Sequence, residues 1–364
     1  MPIYMDRHHL PDDITPEKLS ELHQQDLHIE HKHNCKAFTY WLDLEQRYAF
    51  CLIQAPNEEA IYNLHKESHG DLPTTIIEVE PAVVKSFLGR ISDPEPSEIN
   101  ALQEINDPAH RILMMIRTKH LNDFNSFRKD HVKSSGFENQ LNQIVGQNEG
   151  RITNKNSSEI LILFRSVGQA VTSAQQITQA LKNTESQNIN IGIVSGFPVT
   201  PDSDTFFEEA ITQLTRFCTL IKAPVIINSE LRALYHQEQG KNNKTLHDAF
   251  ILTPGDERFI NKLFKFIDVH WNNPNLDLDL FSRAMGLSKS QLYRKLMRLS
   301  NQSPNNFIRN YRLKEALERL KTQKGNISEI AFETGYNSVG YFSKQFKNAF
   351  GLLPSNYLKT VKNS

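Results

Sequence analysis

No stretch of this 364-residue sequence comes near the run of about 18 apolar residues that a membrane-spanning helix needs. A mean hydropathy of −0.50 fits an ordinary chain in water. Cysteine is scarce: Cys35, Cys51 and Cys218 stand far apart, which argues against a disulfide framework and leaves each as a small buried apolar residue. The opening residues, Met1-Pro2-Ile3-Tyr4-Met5-Asp6, lack the basic-then-apolar order of a signal peptide, so the expected location is the cytoplasm, with no membrane association. Net charge is also nearly absent, at −1, but this balance conceals two opposed segments. Residues 256–364 carry 18 Lys and Arg against 9 Asp and Glu, whereas the preceding 255 residues carry 23 against 33. A basic segment gains affinity for DNA by releasing counterions from phosphates, and an acidic one is repelled. Nucleic-acid contact therefore belongs to the C-terminal third. Lys262, Lys265, Lys314 and Lys321 are expected only to solvate helix faces.

That third contains one helix-turn-helix pattern written twice. Phe281, Ser282 and Gly286 recur 49 positions on as Ile330, Ala331 and Gly335, and Leu292 and Lys295 recur 50 on as Phe342 and Gln345. Each copy has a short helix, a glycine that tolerates the positive φ of a tight turn, and a capping residue opening a second helix: Ser288, then Asn337-Ser338. Small Ser282 and Ala331 let helices cross closely. Apolar Leu292, Leu296 and Leu299, and Tyr341 or Phe342 with Phe346 and Phe350, recur at helical spacing. Between the copies, Ser303-Pro304 opens a long helix across 307–323.

Over 256–362, including Phe350-Gly351, Pro354 and Tyr357, the segment resembles the DNA-binding domain of AraC/XylS transcription regulators. The resemblance implies a linking helix that holds two reading helices about one turn of DNA, roughly 34 Å, apart. The expected DNA contacts are Lys289, Ser290, Gln291, Tyr293 and Arg294 in the first copy and Ser338, Val339, Gly340, Tyr341, Ser343 and Lys344 in the second. Arg298 and Lys347 are expected to touch phosphate.

Eight of fourteen histidines fall within the first 69 residues. The local pattern predicts strands at 3–5, 37–42, 48–54 and 75–79 and helices at 16–27, 58–68 and 81–88, a β-α-β-β-α-β order of the ferredoxin-like plan. His65 and His69 lie four apart on one helix and can share an ion; His23 and Asp26 make a second neighbouring pair. His65-Lys66-Glu67-Ser68-His69 places its glutamate one position late for a zinc-protease helix, so a protease is rejected.

Residues 1–91 resemble a small nickel-binding family of ferredoxin-like dimers, in Pro2 through His8, Thr39-Tyr40-Trp41, Ala49-Phe50-Cys51-Leu52 and His65 through Gly70. This implies a site for nickel or another divalent metal, with Asp6, His8, His23, Asp26, His65 and His69 as the candidate ligands. A rival use is a small molecule on an open sheet face lined by Tyr40, Trp41 and Phe50.

Residues 110–235 alternate strand-like and helical runs, with strands at 112–116, 159–164, 189–194 and 225–228 and helices at 124–145, 169–181 and 206–220. Gly192 through Gly196, Glu209-Ala210, Arg216 and Ala223-Pro224-Val225 resemble a class III nucleotide cyclase domain. Two metal-binding carboxylates are needed for that chemistry, but Arg117 and Ser158 stand where the resemblance puts them, and Thr212 replaces an asparagine. No cyclase activity, and no enzyme, is expected.

The reading is therefore multidomain: an α+β ferredoxin-like metal-binding domain at 1–91, a linker at 92–109, a degenerate cyclase-like α/β domain at 110–240, and an all-α DNA-binding domain with two helix-turn-helix units at 256–364. The expected partners are double-stranded promoter DNA, a second copy joined through the N-terminal and middle domains, and RNA polymerase. The alternative is a metal store or small-molecule binder that autoregulates through its DNA-binding domain.

Overall fold

The computed structural model describes residues 1–94, 107–118, 134–156, 159–181, 189–239 and 249–362. The chain opens with β1 (Ile3–His9), α1 (Pro16–Ile29), a single 3-10 turn, β2 (Lys36–Asp43), β3 (Tyr48–Gln54), α2 (Glu58–Ser68), β4 (Thr75–Glu78) and α3 (Pro81–Leu88). Thr15 and Asn57 cap α1 and α2 through their side chains. The strands form an antiparallel sheet in the order β2-β3-β1-β4, the ferredoxin-like plan. Strand β1 runs beyond the expected 3–5 because it is paired on both sides, to β3 and β4. Its alternation sends Tyr4, Asp6 and His8 to the helix-covered face and Met5 and Arg7 to the other.

That other face is closed. Met5, Trp41, Phe50 and Leu52 share one apolar cluster with α3 and the middle of the chain. Phe50 stacks on Phe197 with ring centroids 5.9 Å apart, and Phe87 on Phe207 at 5.2 Å. Tyr40 lies in a separate cluster with Leu10 and Leu19 from the helix side. The open aromatic face expected for a small molecule is therefore corrected to core.

The middle of the chain comprises β5 (Arg111–Thr118), α4 (Ser134–Gln147), β6 (Arg151–Lys155), β7 (Glu159–Phe164), α5 (Val167–Leu181), β8 (Ile189–Gly196), α6 (Glu208–Leu220), β9 (Val225–Ile227), α7 (Ser229–Gln239) and β10 (Ala249–Ile251). Its six strands lie in the order β10-β9-β8-β5-β7-β6. Elements β5 to β8 repeat the β-α-β-β-α-β plan with the strand arrangement of the first sheet, and β9 and β10 extend it in parallel. Of the helix expected at 124–145, residues 124–133 lie outside the described residues, as does Ser158. The sequence pattern did not announce β6, α7 or β10: β6 is an edge strand with one apolar residue, α7 is mostly polar, and β10 has three residues.

Seven helices follow: α8 (Pro254–His270), α9 (Leu278–Met285), α10 (Lys289–Ser300), α11 (Pro304–Lys321), α12 (Ile327–Glu333), α13 (Val339–Phe350) and α14 (Pro354–Lys362). The first helix pair, α9–α10, packs into the large cluster and the second, α12–α13, into its own. Helix α11 serves both, through Phe307 and Ile308 at one end and Leu313, Leu317 and Leu320 at the other. Helix α8 is fastened to the middle unit: Arg216 donates to Asn261 Oδ1 at 3.0 Å, and the Ser229 hydroxyl to Glu257 at 2.9 Å.

Candidate functional site

Four of the six candidate ligands converge directly. His65, fully buried on α2, places Nε2 2.9 Å from Asp6 Oδ2 on β1 and Nδ1 3.3 Å from Asp26 Oδ1 on α1. His69 Nε2 lies 3.1 Å from His65 Nδ1 and 3.4 Å from Asp26 Oδ1. His65 in the last turn of α2, His69 at its C-cap with φ −143° and so just past the helix expected to carry both, and the β1 alternation bring them together. His8 adds a third imidazole, its Nε2 3.3 Å from Asp6 Oδ1. Asp6 also accepts from the Cys51 amide at 3.0 Å, and Asp26 from the Ser68 hydroxyl at 2.6 Å.

Asp6, His8 and Cys51 form one group able to hold a metal ion, and Asp26, His65 and His69 another; within each, the ligand atoms lie within 4.8 Å of one another. A cavity of about 30 Å³ opens on both groups. His23 also lines that cavity, but its Nε2 is engaged 3.1 Å from Asp93 Oδ2, outside both groups. The exposed His28 and His31 stay out of the cluster, and His33 pairs with Glu67.

Burial alone would raise the Asp6 carboxyl, but the charge of His8 and hydrogen bonds from His65 and His8 hold it well below the usual range. Asp26 behaves likewise: burial raises it, and hydrogen bonds from His65 and His69 prevail. Burial would lower His65, yet Asp26 and Asp6 hold it up at about 10. Two ionised carboxylates thus face each other inside the protein across the His65 imidazolium that they share. Such a pocket favours a cation, and the buried His8 Nε2 faces the same carboxylate, 3.3 Å from Asp6 Oδ1.

The second site is the outer face of α10 and α13. Ser288 and Ser338 cap these helices, and Gln291 completes a reciprocal capping box with Ser288. Lys289, Ser290, Tyr293, Arg294, Gly340, Tyr341, Lys344 and Lys347 are exposed. Val339 and Ser343 are half-buried, Val339 packing against the second core. Several of the expected readers already have partners. Gln291 accepts from the Ser288 amide at 2.9 Å, Lys289 pairs with Asp279 at 2.6 Å, and Arg298 is bonded to the buried Asp256.

A cleft of about 520 Å³ between α8 and α10 is lined by Arg258, Lys262, Arg294, Lys295 and Arg298. Lys262, expected only to solvate a helix face, lines this basic cleft. Lys314 also departs from expectation, because burial and the charge of Arg117 push its ammonium below the usual value.

Residues 281–360 match a helix-turn-helix domain family, and residues 4–79 match the nickel responsive protein SCO4226-like family. Regulatory protein SoxS of Escherichia coli is 34% identical over 101 residues, covering 28% of this chain and 94% of SoxS. The chain belongs to the AraC-type helix-turn-helix transcription regulators. Histidine kinase P4 of Formosa agariphila is 39% identical over 102 residues, but the regulator spans only 7% of that protein, and 34% of YdeC of Bacillus subtilis. Among solved structures, SCO4226 from Streptomyces coelicolor is 31% identical, covering 21% of this chain and 94% of its own, with a TM-score of 0.20. The C-terminal domain of AraT, a response regulator from Geobacillus stearothermophilus, is 27% identical, covering 28% and 84%, with a TM-score of 0.27. Both family matches lie over the two sites described above. The middle unit, which joins them, lies outside both.

Proposed function

We propose that the regulator is a one-component sensor in which a borderline divalent ion, nickel first, alters binding to double-stranded promoter DNA. The observation that carries this is the buried Asp6–His65–Asp26–His69 cluster, with His8 beside it, in a chain whose other end is a DNA-binding domain. Imidazole and carboxylate ligands suit nickel, copper or zinc, and the nickel-responsive family match favours nickel. Bound there, the ion supplies a fixed positive charge between two carboxylates. It shifts DNA affinity only by binding two arrangements of the chain unequally.

The proposed domains are 1–91, 110–240 and 256–364, joined by a linker at 92–109. The middle one is read as a cyclase-like fold without cyclase chemistry. Supporting this, Arg117 stands where a metal-binding carboxylate is expected, bonded to Thr219 and Glu159. A cytoplasmic homodimer in contact with RNA polymerase completes the reading. Because the open face of the first sheet is covered within the chain, that dimer has to form on another surface.

The test is a gel-shift titration of the full chain on its promoter with and without nickel. A Kd change of about 5-fold or more is expected, and equal affinities at saturating nickel reject the sensor. Within the DNA site, Arg294→Ala is expected to weaken specific binding by about 1–3 kcal/mol, the cost of losing a bidentate contact to guanine. Fluorescence anisotropy measures this, and an unchanged Kd and footprint remove Arg294 from the interface.

A further inference from the structure

His23 lines the metal-site cavity, yet its Nε2 is engaged by Asp93, a residue beyond the 4–79 segment that matches the nickel-responsive family. A neutral imidazole has one N–H and one acceptor nitrogen, and the hydrogen bond made by one nitrogen selects the other for a metal. A carboxylate at Nε2 keeps the proton there and leaves Nδ1 as the ligating atom. Metal-bound histidines commonly carry such a carboxylate on their second nitrogen.

Asp93 is not part of the metal-binding fold itself. It begins the connection to the middle unit. Its amide donates to the Phe38 carbonyl, and at the other described end of the connection the Asp107 carbonyl accepts from the Leu42 amide. Both ends are thus fastened to the edge strand β2. Three residues before Asp93, Arg90 lies over the Trp41 ring at 4.5 Å, donates to the Tyr40 carbonyl at 2.5 Å and reaches Asp107 at 3.6 Å. Trp41 sits in the cluster that joins the first sheet to the middle unit.

We infer that Asp93 is a positioning residue of the metal site: it orients His23 to complete the site with a divalent ion and passes occupancy to the joint between the first two units. This rests on the metal reading above. Linkage makes it reciprocal: if the ion strengthens the Asp93 contact, loss of that contact weakens the ion.

The experiment uses the full chain with nickel chloride as the probe. Affinity is measured by calorimetry, and Trp41 emission in a Trp271→Phe background, where Trp41 is the sole tryptophan. Asp93→Asn is expected to lower nickel affinity about 10–100-fold and abolish the nickel-induced change in Trp41 emission. Asp93→Glu, which restores the carboxylate, should lie closer to the original in both. His23→Gln removes the same pair from its other side and should repeat the loss if Asp93→Asn proves misfolded by circular dichroism.

Nickel binding that is unchanged in Asp93→Asn but lost in His65→Ala overturns this inference and leaves the metal reading standing. A Trp41 response that survives in Asp93→Asn at saturating nickel overturns the link to the joint. If the original chain takes up no nickel, both readings fall.

Discussion

His65→Ala is expected to abolish nickel binding and to destabilise the apo protein by about 3–5 kcal/mol, the usual cost of removing one partner from a buried charged pair. The side chain is fully buried and stands between two carboxylates that are themselves almost inaccessible. Without it, Asp6 keeps His8 and the Cys51 amide, and Asp26 keeps His69 and Ser68, but the charge common to both carboxylates is gone. Equilibrium dialysis with elemental analysis measures the metal, and thermal unfolding measures stability. His69→Gln helps to separate the two effects: it removes a ligand, and His65 stays between the carboxylates. Its nickel affinity should fall, with a smaller loss of apo stability than in His65→Ala. Wild-type nickel stoichiometry and affinity in His65→Ala would falsify the assignment of the cluster.

Gly335→Ala is expected to cost about 2–5 kcal/mol and to disable DNA binding, although Gly335 is not among the residues expected to touch DNA. Its φ is +79°, a conformation that costs an L-residue about 1–2 kcal/mol. An added Cβ would also lie 2.8 Å from the Asn272 carbonyl oxygen and 3.0 Å from the Arg312 guanidinium, an overlap of the kind that costs about 1–3 kcal/mol. Arg312 cannot simply withdraw, since it donates to the Trp271 carbonyl at 2.7 Å and the Asn273 carbonyl at 2.6 Å. These bonds tie α11 to the end of α8 and thereby set the two reading helices relative to each other. Urea unfolding followed by Trp271 emission tests the stability. Gly340→Ala is the control: Gly340 is helical, and no neighbour comes nearer its Cβ position than Ser338 Oγ at 3.8 Å. It should be stability-neutral or gain up to about 1 kcal/mol. Comparable losses in the two variants would show that the turn at Gly335 has no special geometry.

Periodic and local signals were legible along the chain. Ser288 and Ser338 cap helices as their residue type suggests, and the repeated glycines adopt positive φ. The β-α-β-β-α-β order could be read because its strands are half-buried and its helices amphipathic. The weakly patterned β6, α7 and β10 could not, since position in a sheet, and not apolar spacing, makes them. Within the metal cluster, the four-residue spacing of His65 and His69 suggests their pairing, although His69 stands just past α2 as its non-helical C-cap, with φ −143°. Asp6 and Asp26, in contrast, are carboxylates among many until β1 and α1 are laid against α2.

The sequence by itself determined the duplicated reader, the segregation of basic residues to its end of the chain, and the concentration of histidine at the other, because these depend on residue type and local period. Only the tertiary structure decided which histidines share carboxylates, that Trp41 and Phe50 close a joint and do not line a pocket, and that Asp93 reaches His23 across 70 positions. Those contacts join segments remote in the chain, and no local spacing encodes the register in which sheets and helices bring them together.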